Sequence, residues 1–199
     1  QTLKNIISEC IKKEISQLSV FAFSSENWNR MPSEIDALLN LLGWFLKSEI
    51  AEINENNIKL SIIGDTSCLS KSTRELIIYS EDFTRKNTGL NLNVAINYGG
   101  KKDIIYSTKN LVKLASENKL RPEDINEDIF KAFLYSKNVS DIDLLIRTSG
   151  ELRVSNFMLW QLAYSEIYIS NALWPDFDEN EFEKAIQSFN KRERRFGSS

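Results

Sequence analysis

Asp143-Leu-Leu-Ile-Arg147-Thr-Ser-Gly150-Glu-Leu-Arg153-Val-Ser155-Asn156-Phe157 is the stretch from which the rest of the chain is read. A short apolar run gives way to a polar loop, and apolar residues resume at Phe157. The pattern predicts a buried strand over 142–146, a loop, and a helix from Asn156 to about Tyr164. Arg147, Thr148, Ser149, Arg153 and Ser155 crowd that strand-to-helix junction. A helix start offers unpaired N–H groups and the positive end of a dipole. Two guanidinium forks beside it match phosphate oxygens, so Arg147, Arg153 and Ser155 are candidates for a phosphate or diphosphate cradle. Ser155 doubles as an N-cap candidate. The alternative is that an arginine is spent on a surface pair with Glu151 or Asp143.

Working outward, the same alternation recurs. Helices are predicted over 3–14, 33–55, 70–86, from Gly100 to about Leu114, in a short region between Pro122 and Phe133, and over 178–191. Apolar runs at 18–23, 58–63, 90–96 and 166–169 predict strands. Apolar strands alternating with amphipathic helices imply an α/β fold with a mostly parallel central sheet flanked by helices on both faces. No repeat, low-complexity tract or Pro/Gly linker interrupts the 199 residues, so 1–199 reads as a single domain.

Composition limits the function classes. A net charge of −3 argues against a broad nucleic-acid surface. Cys10 and Cys68 make no disulfide framework, which points to a reducing compartment and a cytoplasmic protein. No apolar run approaches the roughly 18 residues of a membrane span, no secretory leader is visible, and no long basic amphipathic helix reads as a membrane anchor. With no histidine, the chain cannot supply Ser-His-Asp or Cys-His catalysis or an imidazole metal ligand. The P-loop and dinucleotide glycine fingerprints are absent.

Polar clusters follow three of the strands, at 24–30, 97–100 and 147–155. Ligands of open α/β sheets bind at the carboxyl edge. Ser24, Glu26, Asn27, Trp28 and Arg30 set a hydroxyl, a carboxylate, an amide and a cation around an aromatic ring, a group able to orient a substrate and bind charge. Glu166, heading the last strand, is a candidate ligand for Mg²⁺, which takes one or two carboxylates plus substrate phosphates. A solvated or paired glutamate is the simpler alternative. Leu38, Leu39, Leu41, Leu42, Trp44, Phe45 and Leu46 give helix 33–55 more apolar surface than one core-facing stripe needs. A well-buried helix explains this, and so does one wall of an apolar tunnel.

The longer motifs carry a resemblance over essentially the whole chain. Phe21-Ala-Phe-Ser-Ser-Glu-Asn-Trp-Asn-Arg30, Asn97-Tyr-Gly-Gly100, the stretch from Asp143 to Phe157, Leu159-Trp-Gln-Leu-Ala-Tyr-Ser-Glu166, Leu173-Trp-Pro-Asp-Phe177 and Arg192-Glu-Arg-Arg-Phe-Gly197 resemble the cis-prenyltransferases of the undecaprenyl diphosphate synthase kind. The resemblance implies condensation of isopentenyl diphosphate onto an allylic diphosphate, usually farnesyl diphosphate, with new cis double bonds. It also implies Mg²⁺, a homodimer, an elongated apolar tunnel, and contact with the membrane through the product. Carried over residue by residue, Arg147, Arg153 and Ser155 would bind isopentenyl diphosphate. Glu166 would assist the metal. Ser24, Glu26, Asn27, Trp28 and Arg30 would organise the substrates near the reacting carbons, and Leu90 would influence product length.

One departure accompanies the match. The family opens with a strand and loop resembling H-x-x-x-I-M-D-G-N-G-R-W-A, which carries its main metal ligand and an arginine for the allylic diphosphate. Neither that segment nor a downstream family histidine of the proton-transfer network is in this sequence. Leu152 is a milder departure, at a position that is often polar. The expectation is a domain lacking its first strand, with the isopentenyl side of a site but not the metal-and-allylic side, and inactive by itself. Two other readings stay open. One is a non-catalytic partner subunit of a prenyltransferase, although such relatives usually lose the Ser-x-Glu-Asn-Trp motif intact at 24–28. The other is a generic phospholigand-binding module.

Overall fold

The structure is a computed structural model, and residues 1–193 are described. Arg194, Arg195, Phe196 and Gly197 of the carboxyl-terminal motif lie outside the described residues. The described residues form seven α-helices and five strands: α1 (Thr2–Lys12), β1 (Gln17–Ser24), α2 (Pro32–Ser48), α3 (Ile50–Glu55), β2 (Lys59–Ile63), α4 (Lys71–Thr84), β3 (Asn91–Tyr98), α5 (Gly100–Ser116), α6 (Glu127–Ala132), β4 (Leu144–Arg147), β5 (Glu166–Ile169) and α7 (Glu179–Asn190). Short 3₁₀ turns occupy Ser25–Asn29, Pro122–Asp124 and Trp174–Asp176. The described residues divide into two compact units, 15–139 and a second made of 1–14 with 140–193.

The 15–139 unit holds a parallel sheet in the order β1-β3-β2. Val94 of β3 stands in register with Val20 of β1 and Ile62 of β2. β3 is central and buried along nearly its whole length, its apolar residues Leu92, Val94, Ala95 and Ile96 interrupted by the buried Asn93 and Asn97. Leu60, Leu92, Val94, Ile96 and Tyr98 are core residues. The outer side of β2 would otherwise present bare N–H groups. Helix α4 covers them: Thr84 Oγ1 accepts from Leu60 N at 3.1 Å and Glu81 Oε1 from Ile62 N at 2.8 Å. Burial pushes the Glu81 carboxyl up, and its hydrogen bond from Ile62 partly offsets this. An edge strand is thus closed by side chains instead of another strand.

Gly64, just past β2, sits at φ +124°, and a Cβ there would come within 2.1 Å of the Ile96 carbonyl oxygen. Only glycine lets the chain turn this close to β3. On the far side of β3, Asp103 in α5 is buried and accepts from Tyr135 N at 2.6 Å and Ser136 Oγ at 2.5 Å. Burial raises its carboxyl above the usual range, against the lowering effect of those bonds.

In the second unit β4 and β5 pair in parallel, with Leu144 opposite Glu166 and Arg147 opposite Ile169. Helix α7 starts at Asp178, whose side chain accepts from Glu181 N at 2.9 Å. It packs Phe182 and Ala185 inward beside α1, which contributes Ile6, Ile7 and Cys10, and Lys13 pairs with Glu183. Burial pushes the Cys10 thiol up to about 12, so it serves as core, not as a nucleophile.

The mixed α/β architecture with parallel pairing matches the expectation, and four details differ. The strands pair as a three-stranded and a two-stranded sheet, not one continuous sheet. The long helix expected over 33–55 is two, α2 and α3, parted at Glu49 where φ is −102° and ψ −10°. Nor is α2 well buried: Ile35 and Leu46 are, while Leu41 and Trp44 are each 59% exposed. Finally, no α-helix forms over 156–164, where the backbone runs through turns. Ser155, Asn156 and Met158 have φ of +49°, +61° and +44°, in the left-handed region that a right-handed helix cannot use.

Candidate functional site

In the 15–139 unit the sequence-predicted cluster follows β1 directly. The strand's last N–H, on Ser24, donates to Asn27 Oδ1 at 2.8 Å, which ties the turn Ser25–Asn29 back onto the strand end. Trp28 packs edge-on against Phe23 with ring centroids 5.3 Å apart. Its Nε1 donates to Asn97 Oδ1 at 2.8 Å. Asn97, at the end of β3 with φ +45°, donates through Nδ2 to Asp65 O at 2.7 Å. One side chain therefore joins the carboxyl ends of β1, β2 and β3, with the indole held between. Glu26 and Arg30 stay at the surface, and Arg30 lies 3.5 Å from Glu34. The cluster is a hydrogen-bonded amide-indole pair whose Trp28 stays 37% exposed, with a carboxylate and a guanidinium beside it at the surface.

Asn97 was visible in sequence as the head of the Asn97-Tyr-Gly-Gly100 motif, with no partner indicated. Its organising role depends on strand order, which no local motif carries. The Ser25 hydroxyl is buried and finds no hydrogen-bond partner, and nothing in the sequence set it apart from Ser24. Leu90, expected to act on product length, is buried just ahead of β3, and its carbonyl accepts from Lys59 N at 2.9 Å.

In the second unit the cradle residues gather around the end of β4, held differently from the expectation. Without a helix at 156–164 there is no helix N-terminus or dipole here, and Ser155 caps nothing regular. The loop is instead fixed by backbone bonds to the segment after β5: Ser149 N to Ala172 O at 2.8 Å, Gly150 N to Ser170 O at 2.9 Å, and Ser170 N to Arg147 O at 2.8 Å. Ser149 and Gly150 are both left-handed, at φ +68° and +66°. Such a bend, pinned at both ends, presents the following polar residues outward. Arg153 is exposed and pairs with Glu151, the partner foreseen as the alternative. Ser155 is exposed. Arg147 is half-buried, its Nε shielded from solvent without a hydrogen-bond partner. No carboxylate pairs with it among the described residues. A buried donor of a charged group left unmade is costly, and a water or an anion would satisfy it.

Glu166 heads β5, and its Oε2 lies 2.5 Å from Arg192 Nη1, with Arg192 Nη2 also donating to Ile167 O at 3.0 Å. Among the described residues no three His, Cys, Asp or Glu side chains cluster. They therefore do not by themselves fit Mg²⁺ as a protein-built site. Glu166 supplies a single carboxylate, and it is paired with Arg192. A cleft of about 570 Å³ at the end of β5, lined in part by Ser170, Asn171, Asp176, Glu181 and Lys184, adjoins the same loop. Its carboxylates make it unsuited to an anion.

Comparison with known proteins identifies the family. A prenyltransferase family model described as "Putative undecaprenyl diphosphate synthase" matches residues 1–197. The chain is 43% identical over 199 residues to the ditrans,polycis-undecaprenyl-diphosphate synthase ((2E,6E)-farnesyl-diphosphate specific) of Escherichia coli K12, all of this chain and 79% of that protein. It is 48% identical over 195 residues to an isoprenyl transferase of Prochlorococcus marinus, 98% of this chain and 72% of that one. Among solved structures, lavandulyl diphosphate synthase from Lavandula x intermedia, in complex with dimethylallyl diphosphate, superposes with a TM-score of 0.94 at 36% identity, covering 99% of this chain and 85% of that chain. A probable undecaprenyl diphosphate synthase from Campylobacter jejuni gives 0.88 at 38% identity, covering 99% and 90%. The chain belongs to the undecaprenyl diphosphate synthase family of prenyltransferases.

Proposed function

We propose that the protein elongates a polyprenyl chain, condensing isopentenyl diphosphate units onto farnesyl diphosphate to give a long-chain, undecaprenyl-type diphosphate of the kind used as a cell-wall lipid carrier. The observation that carries this reading is Arg147: a half-buried guanidinium with a shielded, unpartnered Nε at a strand end, inside a family whose relatives make allylic diphosphates. Arg147 and Arg153 take the diphosphate of isopentenyl diphosphate, with Arg153 exchanging Glu151 for the ligand and Ser155 donating its hydroxyl. Two cations on one diphosphate hold the substrate by its non-reacting end.

In the condensation, a carbon–carbon bond forms between the terminal alkene carbon of isopentenyl diphosphate and the first carbon of the allylic diphosphate. The allylic carbon–oxygen bond breaks, diphosphate leaves with the electron pair, and a proton is lost to form the new double bond. Asn27 and Trp28, immobilised by Ser24 N and Asn97, and the outward-facing Glu26 and Arg30 are the groups assigned to the reacting ends. Glu166 is the carboxylate that would hold Mg²⁺, which when bound would neutralise charge on the diphosphates. The half-exposed leucines of α2, with Trp44, suit an isoprenoid chain, since each CH₂ buried gains ~0.8 kcal/mol. Leu90 is the proposed limit on product length. The working form is a homodimer in the cytoplasm. No helix of the described residues is long and apolar enough to cross a membrane.

Competition distinguishes this from a general phospholigand module. Isopentenyl diphosphate should displace a fluorescent diphosphate probe at concentrations where a nucleoside diphosphate does not. Equal displacement by the nucleotide overturns the assignment.

A further inference from the structure

Helix α5 turns Asp103, Ser107 and Leu111 into the 15–139 unit. At ~100° per residue, its opposite face carries Lys101, Lys102, Ile105, Lys109, Val112 and Lys113. All six are exposed, and no acidic residue of the helix shares the face, since Asp103 is buried. Lys102, Lys109 and Lys113 make no ion pair among the described residues, and Glu117 just beyond the helix is already paired with Lys119. Two aliphatic side chains stand among the lysines with nothing over them, Ile105 at 55% and Val112 at 62% exposure. Tyr106, on the flank of the face, is committed by its stack on Tyr135 at 3.9 Å.

We propose that this lysine-rich outer face of α5 docks the protein on an anionic lipid surface. In a chain of net charge −3, four lysines on one helix face are a local inversion of sign. They call for an anionic partner. A second copy is disfavoured, because a two-fold contact through this face would set lysines against lysines. The aliphatics separate lipid from nucleic acid. Phosphate backbones need only the cations, whereas Ile105 and Val112, between lysines on a helix about 25 Å long, gain by entering the headgroup boundary of a bilayer. The attraction falls off within a Debye length, so docking is salt-sensitive.

Co-sedimentation with vesicles tests this, comparing phosphatidylcholine containing phosphatidylglycerol with phosphatidylcholine alone. The protein should pellet with the anionic vesicles at low salt and be released by salt. Lys102→Gln/Lys109→Gln and, separately, Ile105→Ser/Val112→Ser should each lower the partition coefficient about tenfold, with melting temperature and isopentenyl diphosphate binding unchanged. Equal binding to neutral vesicles, wild-type binding by both double variants, a change of oligomeric state in either variant, or preference for a DNA duplex over the vesicles would each overturn the proposal.

Discussion

The two polar clusters are built on opposite plans. At the end of β1 side chains do the joining: Asn27 accepts from the Ser24 N–H, Trp28 donates to Asn97, and Asn97 donates to the Asp65 carbonyl. At the end of β4 the backbone does the fixing, through Ser149, Gly150 and Ser170. Its side chains are left over: Arg147 with an unmet Nε, Ser155 at the surface, Arg153 on an exposed pair that water screens. The contrast separates orientation from capture. A group that aligns reacting carbons gains from being locked beforehand. A group that grips a diphosphate must keep its donors available until the ligand arrives.

Three substitutions probe the contrast. Gly64→Ala should do most damage, because the added Cβ meets the Ile96 carbonyl in the strand frame that supports the locked cluster. A loss of about 3 kcal/mol is expected in denaturant unfolding. A loss under about 1 kcal/mol would mean that the frame yields and the cluster is not locked. Trp28→Phe keeps a ring against Phe23 but removes the donor to Asn97, at a cost of about 1 kcal/mol. Unchanged unfolding in that variant would remove the side-chain lock from the account. Arg153→Ala should leave stability within about 0.5 kcal/mol of the parent, as an exposed pair does, while weakening isopentenyl diphosphate binding about tenfold. If stability falls and binding holds, Arg153 belongs to the fold and not to the ligand.

The same contrast governs what the sequence made legible. Strands β1, β2 and β3 were read to within two residues because apolar runs with polar ends are a local signal. Ser24, Asn27 and Trp28 were singled out as a motif, yet the partner that joins them, Asn97, lies 69 residues beyond Trp28. The scaffold of the cradle was read wrongly. Apolar residues after Asn156 look helical, but the run of left-handed residues at Ser155, Asn156 and Met158 breaks the helix. Asn and Ser tolerate such angles without announcing them. The Glu166–Arg192 pair, 26 residues apart, was equally hidden, since ion pairing across a sheet and a helix leaves no spacing to read. The lysine face of α5 was in plain sight as letters. Its meaning required knowing that Asp103, Ser107 and Leu111 point the other way.

The central claim is that Arg147 is held ready for a diphosphate, and calorimetric titration of isopentenyl diphosphate into the wild-type protein and Arg147→Met tests it most directly. Methionine keeps the apolar stem and removes the shielded Nε. The account predicts a folded variant at least as stable as the parent whose affinity for isopentenyl diphosphate is about a hundredfold lower. A variant that binds as tightly as the wild type would contradict it.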